Sequence, residues 1–186
     1  MRCFVAIEIA ESPRERLTSL IRMLASGERE LRWVRQDQIH LTLKFLGEID
    51  ERDAPAACRI AQDAAAGISV FSLRLTKLGC FPSPAGPRVL WCGIDDESAS
   101  CRRWLEAAEP GFEALGVPRE SRAFSPHVTL ARSKSPAGAA AIRRVLTKPA
   151  AVGEAFDAKF VTLFESRLSR EGPTYSILVR CPFCGA

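Results

Sequence analysis

The chain has two histidines, and each begins the same kind of tetrapeptide: His40-Leu-Thr42-Leu and His127-Val-Thr129-Leu. With 7 Thr and 18 Leu among 186 residues, a given histidine has this context by chance with a probability of roughly 0.004, so an internal repeat is the better explanation. Both copies lie in strand-like runs, at residues 39–46 and 125–131. The repeat predicts two similar halves, each of which contributes one such strand.

Strand geometry gives each tetrapeptide a polar face. Residues i and i+2 of a strand point to the same side, so His40 shares a face with Thr42, and His127 with Thr129. The opposite face of the first copy is predicted to carry Ile39, Leu41, Leu43 and Phe45. Two halves related by approximate two-fold symmetry bring both polar faces to one cleft, where two imidazoles confront each other with two hydroxyls between them.

Two imidazoles and two hydroxyls suit the opening of a phosphodiester. An in-line displacement at phosphorus needs a base to activate water and an acid to protonate the leaving oxygen, and histidine titrates near neutral pH. The hydroxyls can hold the non-bridging oxygens. Two histidines fall short of the three protein ligands usual for a catalytic zinc, so we expect no metal and no cofactor.

The rest of the pattern mixes strands and helices without regular alternation, which predicts an α+β fold with antiparallel pairing. Helices are expected after a Ser12 N-cap and a Pro13 first position, ending near Gly27, and over residues 53–66, 97–115 and 137–146. Strands are expected over residues 2–9, 31–34 paired with 39–46, 69–78, 88–94, 125–131, 156–165 and 174–180, the last two around a turn at residues 170–173. The turn-rich segment 81–87 is the candidate boundary between halves 1–85 and 86–186.

Composition fits a globular chain: 47% of the residues are hydrophobic, 26% are charged, and the net charge is +4. No apolar run approaches the length that a membrane-spanning helix needs, and Glu8 interrupts the first one, so we expect a cytoplasmic protein without a membrane partner. The seven cysteines are scattered and odd in number, which predicts free thiols. Cys181 and Cys184 have metal-ligand spacing but lack partner ligands and are interpreted as an ordinary tail.

Several motifs together resemble the 2H phosphoesterase superfamily, and most closely its RNA 2′,3′-cyclic phosphodiesterases, also called LigT-like or ThpR proteins. They are the two His-x-Thr-x motifs and the runs Arg2-Cys-Phe-Val-Ala-Ile, His40-Leu-Thr-Leu-Lys-Phe-Leu-Gly47, Pro87-Arg-Val-Leu-Trp91 and Phe124-Ser-Pro-His-Val-Thr-Leu-Ala-Arg132. The resemblance covers essentially the whole chain. It implies a single bilobal α+β domain over residues 1–186, with pseudo-symmetric lobes of antiparallel sheet, helices outside and a central cleft carrying both motifs.

The resemblance also implies an activity, namely hydrolysis of RNA 2′,3′-cyclic phosphate ends to 2′-phosphomonoesters by a monomeric enzyme. His40 would be the proton donor, His127 the proton acceptor, and both threonines phosphate contacts. The alternatives are a related enzyme acting on another cyclic phosphate or cyclic nucleotide, 2′-5′ RNA ligation, and an RNA-end-binding module without turnover.

Five further residues are candidate substrate contacts. The resemblance suggests Arg132 as a phosphate contact, yet strand parity places it opposite His127 unless the strand ends or bulges. Phe45 occupies the equivalent position in the first copy, where base stacking and core packing are both open. Phe4, Arg88 and Tyr175 are weaker candidates.

Overall fold

A computed structural model describes residues 1–148, 150, 152–170 and 172–186 of the chain. Its helices are α1 (Glu11–Ala25), α2 (Ala54–Ala66), α3 (Ser100–Ala114) and α4 (Pro136–Leu146), with 3₁₀ turns at Gln36–Gln38 and Glu51–Asp53. Its strands are β1 (Arg2–Glu8), β2 (Arg32–Trp33), β3 (His40–Glu48), β4 (Phe71–Phe81), β5 (Val89–Asp95), β6 (His127–Arg132), β7 (Ala155–Ala158), β8 (Phe160–Ser169) and β9 (Gly172–Pro182).

All nine strands belong to one sheet, in the order β7-β4-β5-β6-β3-β1-β8-β9, with the short β2 paired to β6. Every ladder between named strands is antiparallel, which confirms the predicted α+β fold. The order is symmetric about the β6–β3 contact, because β5, β4 and β7 follow β6 outward as β1, β8 and β9 follow β3. The two motif strands are therefore the central neighbours of the sheet.

The helices cover one face of this sheet, and the core lies between them. The inward side of β1 and β3 is formed by residues such as Val5, Ile7 and Leu41, all at most 1% exposed. These pack in one cluster with the apolar stripes of the four helices, for example Leu17 of α1 and Trp104 of α3. Because the helices occupy this face, the opposite face is left for the histidines. Among the described residues, no helix is long and apolar enough to cross a membrane.

The predicted elements are confirmed apart from the following details. Helix α1 begins at Glu11, so Ser12 is not its N-cap; the Ser12 hydroxyl instead donates to the Glu154 carboxylate. Residues 32–33 pair with β6 and not with the strand at 39–46, because the turn at residues 36–38 carries the chain past that strand's edge. The run at 156–165 is two strands, since the chain leaves β7 at Lys159 to join the other end of the sheet. The predicted turn at 170–173 includes Glu171, which lies outside the described residues.

A further detail concerns the boundary between the predicted halves. Residues 82–88 connect β4 and β5, which are hydrogen-bonded neighbours, so this segment is a hairpin loop within one half of the sheet. Each half of the sheet draws on both halves of the sequence: β1 and β3 come from the first, and β8 and β9 from the second. The chain end is not a plain tail, because Phe183 is 2% exposed and packs in the core.

Candidate active site

The two histidine motifs meet at a single pair of residues. Leu41 of β3 pairs with Val128 of β6, and each of them directly follows its histidine. In an antiparallel ladder, this pairing places His40 opposite Thr129 and Thr42 opposite His127. The approximate two-fold axis of the repeat therefore passes through the Leu41–Val128 pair, and strand alternation directs the four polar residues to the same face of the sheet.

Each imidazole is held in the same way. The Nδ1–H of His40 donates to the carbonyl of Gln38 at 2.8 Å, and that of His127 donates to the carbonyl of Ser125 at 2.7 Å. In both copies the acceptor lies two residues before the histidine. A carbonyl can only accept, so this contact fixes the proton on Nδ1 and leaves Nε2 of each ring for proton transfer.

Aromatic side chains flank both rings. The His40 ring lies 4.9 Å from that of Phe4 and 5.3 Å from that of Tyr175. The His127 ring lies 5.0 Å from that of Phe81 and 6.1 Å from that of Trp91. These walls remove water from the imidazoles and fix their orientation.

Burial shifts the titration of both histidines in the same direction. Desolvation lowers the pKa of His40 to about 4, and the nearby positive charge of Arg132 and the His127 ring act the same way, while the Gln38 carbonyl opposes them. Desolvation is also the main cause of the lowered pKa of His127, again with a contribution from Arg132. Without an anion between them, both rings are neutral at pH 7, and each presents a basic Nε2.

Matching β-bulges follow the two motifs. In the β1–β3 ladder, Ala6 pairs with Thr42 but Val5 pairs with Lys44, so Leu43 is an extra residue. In the β5–β6 ladder, Trp91 pairs with Thr129 but Leu90 pairs with Ala131, so Leu130 is the extra residue. A bulge of this kind reverses the alternation beyond it. The same device thus acts at the same position of both repeats.

The bulges decide where Phe45 and Arg132 point. Phe45 pairs with Phe4 on the histidine face and is 54% exposed, so the prediction that it shares a face with Leu41 is wrong, as is core packing. Arg132 pairs with Val89, which lies on the same side of β5 as Trp91, so it is turned toward the cleft. Its influence on the pKa of both histidines agrees with that position.

The family model for LigT-like phosphoesterases matches residues 7–91 and 93–175 of this chain. The chain belongs to this family. An RNA 2′,3′-cyclic phosphodiesterase of Aeropyrum pernix is 32% identical over 165 residues, which is 88% of this chain and 92% of that protein. A relative of the same name from Archaeoglobus fulgidus is 30% identical, over 96% of this chain and 98% of its own length.

Two solved structures share the fold of this chain. A crystal structure from Thermus thermophilus has a TM-score of 0.84 at 29% identity and covers 100% of this chain and 99% of its own. The structure of E. coli LigT complexed with 3′-AMP has a TM-score of 0.80 at 25% identity, with 98% of each chain covered. Both matches extend over nearly the whole of this chain and therefore over the nine-stranded sheet.

Not every predicted contact of this LigT-like phosphoesterase lies on the cleft face. Phe4 and Tyr175 line the His40 side with their rings 4.9 Å apart, and their contact with substrate stays a prediction. Arg88 is exposed and lies just before β5. Strand alternation directs it to the same side as the buried Leu90, which is the side away from Trp91 and the cleft.

Sequence reasoning missed the wall beside His127. Trp91 pairs with Thr129, and its ring lies over Gly79 so closely that a Cβ there would be 2.1 Å from the indole. A glycine inside a predicted strand is a signal of such close approach. Phe81 completes the wall, 5.2 Å from the Trp91 ring. The strand predicted over residues 88–94 included Trp91, but nothing in the sequence paired it with Thr129.

A charged network adjoins the His40 side and was also missed. Glu8, the ladder partner of His40, accepts hydrogen bonds from Arg180 at 2.8 and 2.9 Å and from the Thr162 hydroxyl at 2.7 Å. Burial alone would raise the pKa of Glu8, but the bonds from Arg180 and Thr162 outweigh it and lower the pKa. Glu8 is therefore an anion whose oxygens already accept hydrogen bonds from Arg180 and Thr162.

Proposed function

We propose that this protein hydrolyses 2′,3′-cyclic phosphate ends of RNA to 2′-phosphomonoesters by two-histidine acid–base catalysis without a metal. The observation that supports the proposal is the Leu41–Val128 pairing, because it makes the two strands that carry the histidine and threonine motifs neighbours in the sheet. The names of the relatives from Aeropyrum pernix and Archaeoglobus fulgidus support this substrate class.

The proposed reaction is one in-line displacement at phosphorus. His127 Nε2 takes a proton from water, the water oxygen bonds to phosphorus, the bond from phosphorus to O3′ breaks, and His40 Nε2–H delivers a proton to O3′. Thr42 and Thr129 donate hydrogen bonds to the non-bridging oxygens, and Arg132 offsets the charge that develops there. The assignment of acid and base to the two histidines follows the family resemblance, since the geometry treats them alike.

The lowered pKa values fit this division of roles only when substrate is bound. A neutral His127 is already a competent base at pH 7. His40 needs a proton to act as the acid, and a phosphate anion held between the rings supplies the opposite charge that favours its protonated form. The negative charge of the bound substrate thus favours the protonated form of His40, which is the form that acts as the acid.

The test is to incubate the purified protein with EDTA and a nucleoside 2′,3′-cyclic phosphate and to identify the product by ³¹P NMR. We expect a 2′-monophosphate, with His40→Ala and His127→Ala each lowering turnover at least about 100-fold, the scale of a lost general acid or base. A 3′-product, loss of activity in EDTA, or near-wild-type turnover in either variant would contradict the proposal. Binding without turnover would favour an RNA-end-binding module, and joining of RNA ends would favour the ligase alternative.

A further inference from the structure

A small cavity lies beside His40, on the side of the ring that faces helix α1. Its volume is about 80 Å³, and since one water needs roughly 10–15 Å³ by this measure, it has room for several waters or one small anionic group. One wall is formed by His40, Tyr175 and Phe164, and the other by Arg14, Gln36 and Asp37. We call it the Arg14 pocket.

Arg14 is an unusual wall residue because no acceptor serves its guanidinium. Its Nε is buried, and its guanidinium has no hydrogen-bond acceptor or ion-pair partner among residues 1–148, 150, 152–170 and 172–186. Buried polar groups in proteins nearly always have a hydrogen-bond partner, and a buried donor without one costs stability. Such a donor beside a cavity at a catalytic face points to a ligand that supplies the acceptor.

The acidic groups of the pocket are already engaged. The Glu8 carboxylate is close enough for Arg14 to contribute to its lowered pKa, but its oxygens accept from Arg180 and Thr162. The Asp37 carboxylate accepts from Arg35 at 2.9 and 3.1 Å. Neither carboxylate therefore pairs with the Arg14 guanidinium, which is left to bind an incoming anion. Its planar shape matches the oxygens of a phosphate.

We propose that the Arg14 pocket binds the phosphodiester on the 5′ side of the terminal nucleotide, so that the enzyme prefers an RNA chain end to a free cyclic nucleotide. This inference rests on the proposed function. With the cyclic phosphate between His40 and His127, the next anionic group of an RNA substrate is one nucleotide away, and the pocket adjoins His40. Arg14 is then a specificity-determining residue that contacts the RNA chain, whereas the histidines act at the reacting phosphorus.

The experiment compares kcat/KM on three substrates: adenosine 2′,3′-cyclic phosphate, the dinucleotide ApA with a 2′,3′-cyclic phosphate end, and the same dinucleotide with a neutral methylphosphonate linkage. We expect the wild-type enzyme to prefer the charged dinucleotide about tenfold or more, the scale of one charge-assisted hydrogen bond. Arg14→Gln should abolish this preference while changing the rate on the mononucleotide less than about twofold. Arg16→Gln, an exposed neighbour on the same helix, is the matched control and should retain the preference.

The methylphosphonate substrate makes the test independent of the variant's folding. In the wild-type enzyme it should react like the mononucleotide, and Arg14→Gln should cause no further loss on it. Equal losses on all substrates, or a preference that survives Arg14→Gln, would overturn the inference while leaving the proposed function intact. An equal gain with 5′-phosphorylated adenosine 2′,3′-cyclic phosphate would overturn the RNA-chain assignment. A wild-type enzyme inactive on every substrate would instead overturn the proposed function.

Discussion

The depressed pKa of His40 predicts a measurable loss of stability in mild acid. An ordinary imidazole has a pKa of 6.5, whereas burial lowers that of folded His40 to about 4. The folded state therefore disfavours the proton, so stability is fully present above pH 6.5 and is lost as the pH falls toward 4. At pH 5, an unfolded imidazole is about 97% protonated and folded His40 about 9%, which corresponds to about 2 kcal/mol of unfolding free energy lost since pH 7.5.

The assay is urea denaturation of the wild-type protein and His40→Asn at pH 7.5 and pH 5.0. The asparagine amide keeps a donor for the Gln38 carbonyl but does not titrate, so the variant should lose about 2 kcal/mol less than the wild type between the two pH values. Carboxylate titration affects both proteins alike and cancels in the difference. Equal losses would show that His40 is not held neutral by its surroundings, and the reasoning about the acid role would fail with it.

Three further outcomes are expected. Binding of inorganic phosphate at pH 6.5 should take up protons, seen as a dependence of the calorimetric heat on the buffer's ionisation enthalpy; no uptake would contradict an anion-raised pKa of His40. Arg132→Ala should lower kcat/KM about 10- to 100-fold and Arg88→Ala less than about twofold, because one bulge directs only Arg132 to the cleft; equal effects would refute this. Lys44→Ala should lower the free energy of unfolding, measured by urea denaturation, by about 3 kcal/mol, because it removes the ion-pair partner of the Glu109 carboxylate. The double variant Lys44→Met with Glu109→Leu should recover most of that loss, and a loss below about 1 kcal/mol in Lys44→Ala would contradict a buried pair.

The sequence predicted the fold and the shared face of the two histidine motifs because both depend on periodicity. Alternation placed His40 with Thr42, and the duplicated context indicated that a second strand would supply the same pair. Helix α2 and strand β5 begin and end within two residues of their predicted bounds, and Gly67 marks the end of α2.

Two kinds of feature were beyond that reasoning. A bulge depends on how two strands pair. The sequence of either strand alone therefore does not show that Phe45 and Arg132 point to the face opposite the one that simple alternation predicts. The pairing of Trp91 with Thr129 and of Glu8 with Arg180 likewise joins residues far apart in the chain. The predicted boundary at residues 81–87 failed because a loop rich in proline and glycine marks a turn equally well inside a half of the sheet.

The bulges give a symmetric site the means to bind an asymmetric substrate. Both repeats turn their fifth residue after the histidine onto the cleft face, but that residue is Phe45 in one and Arg132 in the other. Phe45 continues an apolar row through Phe4 and Phe164 to Ile177, which suits the flat face of a base, while Arg132 suits phosphate oxygens. The two imidazoles, which make the same hydrogen bond to a backbone carbonyl, thereby have different neighbours, as the proposed acid and base roles require.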